Sequence, residues 1–449
     1  MPEEFITLAR GVEVVNGTSR PGKSKRNTWM ITLVEALNYR CLRYVSRPLD
    51  PFHVLVGPNA SGKTTFLDVV GFLRDLVSEG LDEALSSRTT NPEELLFRRQ
   101  GEKLELAVEA RIPDELRILT AKPEMGMARY EVSIGFDDTQ RQFEFKAETF
   151  LLKQSRSKDP IQRSLFPMPI DAPPSLLTKG RGGRNYKTVV NKVPGGNDNF
   201  YSETYPQGGK GWAPSFKLGL QKSALGNLPA DEKSLPVASW FREYLKSGVQ
   251  QFVLNSLAIR QPSPPTRVKG FLPDGSNLPW VVARLRQENK ERYDDWIAHL
   301  RTALDDLVDI TTVERPEDKH CYMVYGYNGG LKVPSWMVSD GTLRLTALTL
   351  PAYLDELKGI YLIEEPENGI HPRAVATVYD SLSSVYSAQV LLATHSPVVL
   401  SAAKMDDVLC FAKDDIGATD IVLGSEHPKL QQWHGEADLG TLLASGVLG

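Results

Sequence analysis

Cysteine is scarce in this chain. There are three in 449 residues, Cys41, Cys321 and Cys410, far apart and without a CxxC pair. That excludes a disulfide framework and a cysteine-held zinc site, and it suits a reducing cytoplasm. Long hydrophobic runs are missing too. None approaches the roughly eighteen apolar residues that cross a bilayer, so no membrane span is expected. The opening "MPEEFITLAR" lacks the basic-then-apolar order of a secretory signal. Positive charge is not in excess: 52 Lys and Arg stand against 56 Asp and Glu, a formal net charge of −4. A protein coated for bulk nucleic-acid binding is thereby excluded, while a local basic groove stays open. Internal repeats and sustained heptads are absent, which removes solenoids and long coiled coils.

What remains is ordinary globular material, 41% hydrophobic and 24% charged. The length allows two or three domains, or one large α/β domain with an insertion. Residues 1–28 are polar and read as a flexible extension. "MITLVEALNYRCLRYV" predicts one or two strands, and "FHVLVG" a short buried strand stopped by glycine. "KTTFLDVVGFLRDLVSEGLDEAL" has helical spacing. "KLELAVEARI" and "RYEVSIGFDDTQRQFEFKAETFLL" alternate as antiparallel strands, with "DDTQ" as a hairpin turn. Residues 154–235 are rich in Pro, Gly and Ser and predict a loop-dominated insertion with room for one hairpin. Helical patterning returns at "PVASWFREYLKSGV" and at "DDWIAHLRTALDDLV", where Trp296, Ile297, Leu300, Leu304 and Leu307 are expected to share one face. After "GIYLIEE" the chain alternates strand and helix through "PRAVATVYDSLSSVY", "QVLLATHS", "PVVLSAA" and "DVLCFAK". That alternation predicts a parallel sheet.

"GPNASGKT", Gly57 to Thr64, fits G-x-x-x-x-G-K-[ST] and lies between a predicted strand and a predicted helix. Gly57 and Gly62 let the loop wrap so that backbone N–H groups face phosphate oxygens, and the helix N-terminus adds its dipole. Lys63 would reach the β- and γ-phosphates of ATP, and Thr64 would offer a hydroxyl to Mg²⁺. Pro58, Asn59, Ala60, Ser61 and Thr65 complete the cradle. "YLIEE" ends in Glu364 and Glu365. The first carboxylate can hold the Mg²⁺ water shell, and the second can orient or deprotonate an attacking water. His395, after "VLLAT", can bond the γ-phosphate or that water; a capping histidine is the plainer alternative. Ser339 and Gly341 in "SDGTLRL" make a second anion corner at a helix start. Such a corner is useful if it closes over the ATP of a partner subunit. "KGRGGRNYK" (179–187) gathers four basic residues around Tyr186, either to contact nucleic acid or as a solvated glycine-rich loop.

These motifs, in this order, resemble the ABC-type ATPase heads of the SMC/RecF/OLD group. They are especially similar to the stand-alone "AAA family" predicted ATPases of bacterial defence and toxin-like operons. The match rests on "NYRCLR", "VLVGPNASGKTTFLD", "SDGTLRLTALTL", "YLIEEPENGIHP" and "LLATHSP", with softer likeness in "DGSNLPWVVARL" and "ADLGTLLASGVLG". The resemblance implies an α/β P-loop NTPase of the ABC-head type, with a mixed sheet core, an antiparallel β-subdomain and a central loop and helix insertion. It divides the chain into 29–150 (first half of the head), 151–329 (insertion and helical lobe) and 330–449 (second half). Ser339, Asp340 and Gly341 would be the signature acting in trans, Glu364 and Glu365 the Walker B pair, Asn368 to His371 the dimer-facing loop and His395 the switch histidine. Arg40 would touch nucleotide, and Gln100 would be the glutamine that joins Thr64 and Glu364 at the metal.

Departures from the pattern are specific. Glu364 stands where most ABC proteins have Asp, and the signature is Ser-Asp-Gly rather than the transporter form. No coiled-coil arm is present, and about fifty residues after His395 are too few for a TOPRIM nuclease fold. The expectation is a cytoplasmic Mg-dependent ATPase that forms a homodimer or higher homo-oligomer around ATP. It would act as sensor and regulator of a separate effector, a TOPRIM-like nuclease or a toxin, in anti-phage defence. A RecF-like DNA-repair head is the rival; a transporter subunit and a non-hydrolysing scaffold are weaker ones.

Overall fold

Among the described residues three sheets organise the chain. The computed structural model describes residues 30–137, 142–155, 164–168, 170–179, 185–205, 213–265, 270–355, 357–431 and 439–444. The expected N-terminal extension, all but the first residue of the "DDTQ" turn, the centre of the 179–187 basic cluster, "QGGKGW" and the last five residues lie outside these.

The first sheet has eight strands in the order β2-β1-β4-β5-β6-β7-β8-β9. They are β1 (Ile31–Tyr39), β2 (Leu42–Pro48), β4 (Lys103–Arg111), β5 (Met127–Asp137), β6 (Gln142–Lys153), β7 (Tyr186–Lys192), β8 (Asp198–Phe200) and β9 (Ser215–Phe216). All neighbours are antiparallel. The second sheet has the order β10-β14-β15-β3-β16-β17. It comprises β3 (Phe52–Val56), β10 (Val249–Phe252), β14 (Ile360–Glu364), β15 (Gln389–Ala393), β16 (Val408–Lys413) and β17 (Thr419–Leu423). Only the β16–β17 pair is antiparallel. A third, smaller sheet holds β11 (Leu307–Glu314), β12 (Cys321–Tyr327) and β13 (Lys332–Pro334).

The parallel strands are solidly apolar because both faces are covered. Along β3, Leu55 joins the core shared with helix α1 (Lys63–Ser78), whereas Phe52, Val54 and Val56 join the core on the opposite face. Phe66 of α1 is fully buried and meets Phe411 of β16 edge-on at 5.7 Å. Full burial of one such side chain stabilises by roughly 1.5–3 kcal/mol. Further helices include α2 (Pro236–Gly248), α3 (Ser256–Arg260), α4 (Leu278–Glu288), α5 (Lys290–Arg301) and α6 (Asp340–Thr349). After these, α7 (Pro372–Ser383) covers the face of the parallel sheet opposite α1.

Three expectations need correction. The helix foreseen from Lys63 to Leu85 ends at Ser78, because Gly80 takes φ 103° and starts a separate turn at Leu81. The face foreseen in "DDWIAHLRTALDDLV" stops at Leu300: α5 ends at Arg301 and Leu307 opens β11. The 154–235 stretch carries more order than one hairpin, since β7, β8 and β9 extend the antiparallel sheet. Its Glu203 carboxylate, fully buried, accepts from Val237 N (2.6 Å) and Ala238 N (2.8 Å) and so caps α2 from a distance.

Candidate nucleotide site

The site forms where β3 ends and α1 begins. Gly62 is the N-cap of α1 at φ 107°, and a Cβ there would lie 2.4 Å from Thr419 Oγ1, so no side chain fits. Thr419, on β17, also donates its hydroxyl to Ser61 O at 2.8 Å and so braces the loop from behind. Its neighbour Asp420 accepts from Met168 N at 2.9 Å, tying the insertion to the same strand.

Around this loop lies a cavity of about 500 Å³, lined by Cys41, Asn59 to Thr65, Glu364, Glu365, Ala393 and His395. The sequence-derived residues from 59 to 65 meet the two glutamates and the histidine here, across some three hundred residues of chain. Parallel pairing explains why: β14, β15 and β3 lie side by side and all end at this edge.

Lys63 is 6% exposed. Its Nζ donates to Gly57 O (2.8 Å) and Pro58 O (3.0 Å), so the free loop closes on its own lysine. Burial pushes the ammonium down to about 8, with Glu365 and Glu364 pulling the other way. Thr64 Oγ1 donates to Glu364 Oε2 at 2.5 Å. That hydroxyl–carboxylate pair is the hard-oxygen donor set that suits Mg²⁺, which keeps several waters and takes few protein ligands. Among the described residues no group of three or more His, Cys, Asp or Glu gathers as a metal cage.

Glu365 sits at φ 47°, a left-handed backbone for a bulky residue, at a cost of about 1–3 kcal/mol. Its N–H donates to Ala393 O at 2.8 Å, and its Oε2 accepts from Asn368 Nδ2 at 2.5 Å. The backbone is thus tied to β15 while the carboxylate is steered by the following loop. Burial, and then the Lys63 ammonium, lower the His395 imidazole, with Glu365 and Glu367 opposing. At neutral pH it is the neutral ring that faces the cavity.

Several residues were not foreseen. Glu367 Oε1 accepts from Thr394 Oγ1 (2.6 Å) and His395 N (3.1 Å), fixing the segment that carries His395. Gln251 of β10 donates from Nε2 to Glu364 Oε1 at 3.3 Å. It therefore occupies the place beside Glu364 that was expected of Gln100. Gln100 does not line the cavity; it is exposed, and its carbonyl accepts from Asn38 Nδ2 at 3.1 Å. Arg40 does not line it either. Its guanidinium pairs with Asp68 at 3.5 Å and reaches Arg88 O, and the neighbouring Cys41 faces the cavity instead.

The signature residues lie apart from this cavity. Ser339 is the exposed N-cap of α6, accepting from Thr342 N at 3.2 Å. Asp340 opens the helix. Gly341 leaves room for Gly369 O, which would sit 2.7 Å from a Cβ. In the basic cluster, Lys187 is buried, donating to Glu203 O (3.1 Å) and Tyr205 O (2.7 Å), and is not available to a phosphate backbone. Tyr186 donates its hydroxyl to Lys179 O.

A family model described as "AAA domain, putative AbiEii toxin, Type IV TA system" matches residues 52–177 and 227–401. The chain belongs to this family. Its fold is that of an ABC- and SMC-like P-loop ATPase. A crystal structure of an "SmcHead bound to the C-winged helix domain of ScpA" superposes at a TM-score of 0.51 and 13% identity, covering 88% of this chain and 97% of that one. An SMC head domain from Thermotoga maritima matches at a TM-score of 0.39 and 10% identity, over 88% and 98%. No curated protein matches the chain. The AAA family placement implies a nucleotide site with a divalent metal, and the donors around Thr64 fit that requirement. Among the described residues no helix is long and apolar enough to cross a membrane.

Proposed function

We propose that this AAA-family chain binds and hydrolyses Mg-ATP in the cavity at Lys63, and that two copies close around the bound nucleotide. The observation that carries the reading is the convergence of Lys63, Thr64, Glu364, Glu365 and His395 on one cavity, with the Ser339 corner outside it.

Phosphates entering the loop would take the Lys63 ammonium from the Gly57 and Pro58 carbonyls. Thr64 and Glu364 would hold the metal's oxygen shell, and Gln251 would steady Glu364. Bound Mg²⁺ supplies charge neutralisation on the β- and γ-phosphates. Glu365 serves as the general base for the attacking water, aimed by Asn368. His395 bonds the γ-phosphate edge through a ring N–H. The exposed Ser339–Asp340–Gly341 corner completes the partner copy's site, so ATP joins the two heads and its hydrolysis releases them.

In this reading the ATP cycle regulates a separate effector, a nuclease or a toxin, in bacterial anti-phage defence. The toxin–antitoxin wording of the family supports that setting. The buried Lys187 removes one prop of the rival DNA-repair reading.

The test is Glu365→Gln. Nucleotide binding is expected to persist, turnover to fall by about 10²–10⁴, and light scattering to show an ATP-dependent dimer. Unchanged turnover in this variant removes the hydrolytic reading. A monomer at saturating Mg-ATP removes the sandwich.

A further inference from the structure

The signature corner carries an awkward charge. Asp340 is the first residue of α6, beside Ser339, and its side chain is 61% exposed. A carboxylate there suits the helix dipole. It also repels any phosphate that approaches the same corner.

One cation answers it. Arg260, the last residue of α3, donates to Asp340 Oδ1 from both Nη2 (2.6 Å) and Nε (3.1 Å). Its third nitrogen, Nη1, donates to Trp336 O at 3.2 Å, and its own carbonyl accepts from Ser335 Oγ at 3.0 Å. The guanidinium thus clamps the segment that leads into Ser339 as well as the residue that follows it. Helix α3 is itself fixed: Asn255 Oδ1 caps it by accepting from Leu257 N (3.0 Å) and Ala258 N (3.3 Å). Four residues before Asn255 is Gln251, whose amide rests on Glu364. A short stretch of chain therefore joins the metal-site carboxylate to the clamp on the signature corner.

We propose that Arg260 is the positioning residue of the signature corner: it neutralises Asp340 and holds the Ser339–Asp340 turn so that the corner accepts a phosphate of the nucleotide bound by a second copy. This rests on the reading that the corner acts in trans.

The test uses the full chain. Arg260→Met keeps the aliphatic stem and removes the charge. Its turnover is expected to fall about tenfold, from the uncompensated carboxylate facing phosphate. Affinity for a fluorescent ATP analogue stays at the wild-type value, because the variant's own loop is intact. Adding Asp340→Asn to Arg260→Met is expected to restore most of the turnover, which loss of a merely structural clamp does not allow. Mixing Arg260→Met with Lys63→Ala is expected to recover up to about a quarter of wild-type activity, since a two-fold dimer of the two has one intact site. Normal turnover in Arg260→Met, or no recovery on adding Asp340→Asn, overturns the proposal. Ser339→Arg mixed with Lys63→Ala separates the two levels. If that pair complements and the Arg260 pair does not, the sandwich stands and the role of Arg260 falls. If neither pair complements, the trans reading falls and takes the proposal with it.

Discussion

The chain carries two corners shaped for phosphate, and they differ in nearly every physical respect. The corner at Lys63 is enclosed and self-satisfied: its lysine is buried, its loop is braced by Thr419, and its carboxylates are tied by Thr64, Gln251 and Asn368. The corner at Ser339 is exposed, and its one acidic residue is answered by one arginine. In the proposed reading the enclosed corner binds unaided, and the exposed one, with no wall of its own, is completed by a second copy.

The contrast can be broken from either side. Lys63→Ala removes the charge from the enclosed corner and is expected to weaken ATP binding by about a thousandfold, as loss of a desolvated charge–phosphate contact does; isothermal titration reads it. Ser339→Arg leaves that affinity alone and is expected to cut turnover about a hundredfold, because a bulky cation fills the partner's phosphate position. Normal turnover there makes the exposed corner irrelevant to hydrolysis.

A third probe uses Cys41, which is half-buried at the cavity wall, whereas Cys321 and Cys410 are buried. N-ethylmaleimide is expected to label Cys41 alone, and Mg-ATP to slow labelling about tenfold by occupying the cavity. Labelling indifferent to nucleotide would place ATP elsewhere. The smallest effect is a pH dependence. In the free protein Lys63 loses its proton near 8, lowered by burial. Bound phosphates hold that proton, so binding takes up protons above pH 8 and weakens by up to about tenfold per pH unit. Below that pH the ammonium is already formed and affinity is flat. In Lys63→Arg the slope is expected to vanish, the guanidinium keeping its charge throughout.

Legibility in the sequence followed locality. The strand–loop–helix from Phe52 to Ser78 is a contiguous signal, and its glycines and lysine could be read where they stood. Glu364, Glu365 and His395 were readable because each follows a short apolar strand, and parallel strands end at a common edge. Gln251 was not, because β10 has only four residues and offers no period. Its position is set by pairing with β14 more than a hundred residues later. The glutamine sought at Gln100 sits instead on a turn that bonds Asn38. Leu304 and Leu307 continue a helical spacing that the backbone abandons at Arg301. The same limit hid β7 to β9, where Gly and Pro dominate the composition and the ordering partner is the sheet edge at β6.

The lysine that bonds its own loop has a consequence for timing. With no nucleotide present, Gly57 and Pro58 act as built-in competitors for the ammonium. An incoming triphosphate gains only the difference between its grip on Lys63 and theirs. The cost is the same for every anion that needs the ammonium, so the closed loop lowers affinity for inorganic phosphate and triphosphate by one common factor. The same carbonyls also shorten each departure. As product leaves they recapture the lysine at once, and the site resets to a closed form without waiting for solvent. A receptor built this way would trade some affinity for a site that resets itself as product leaves.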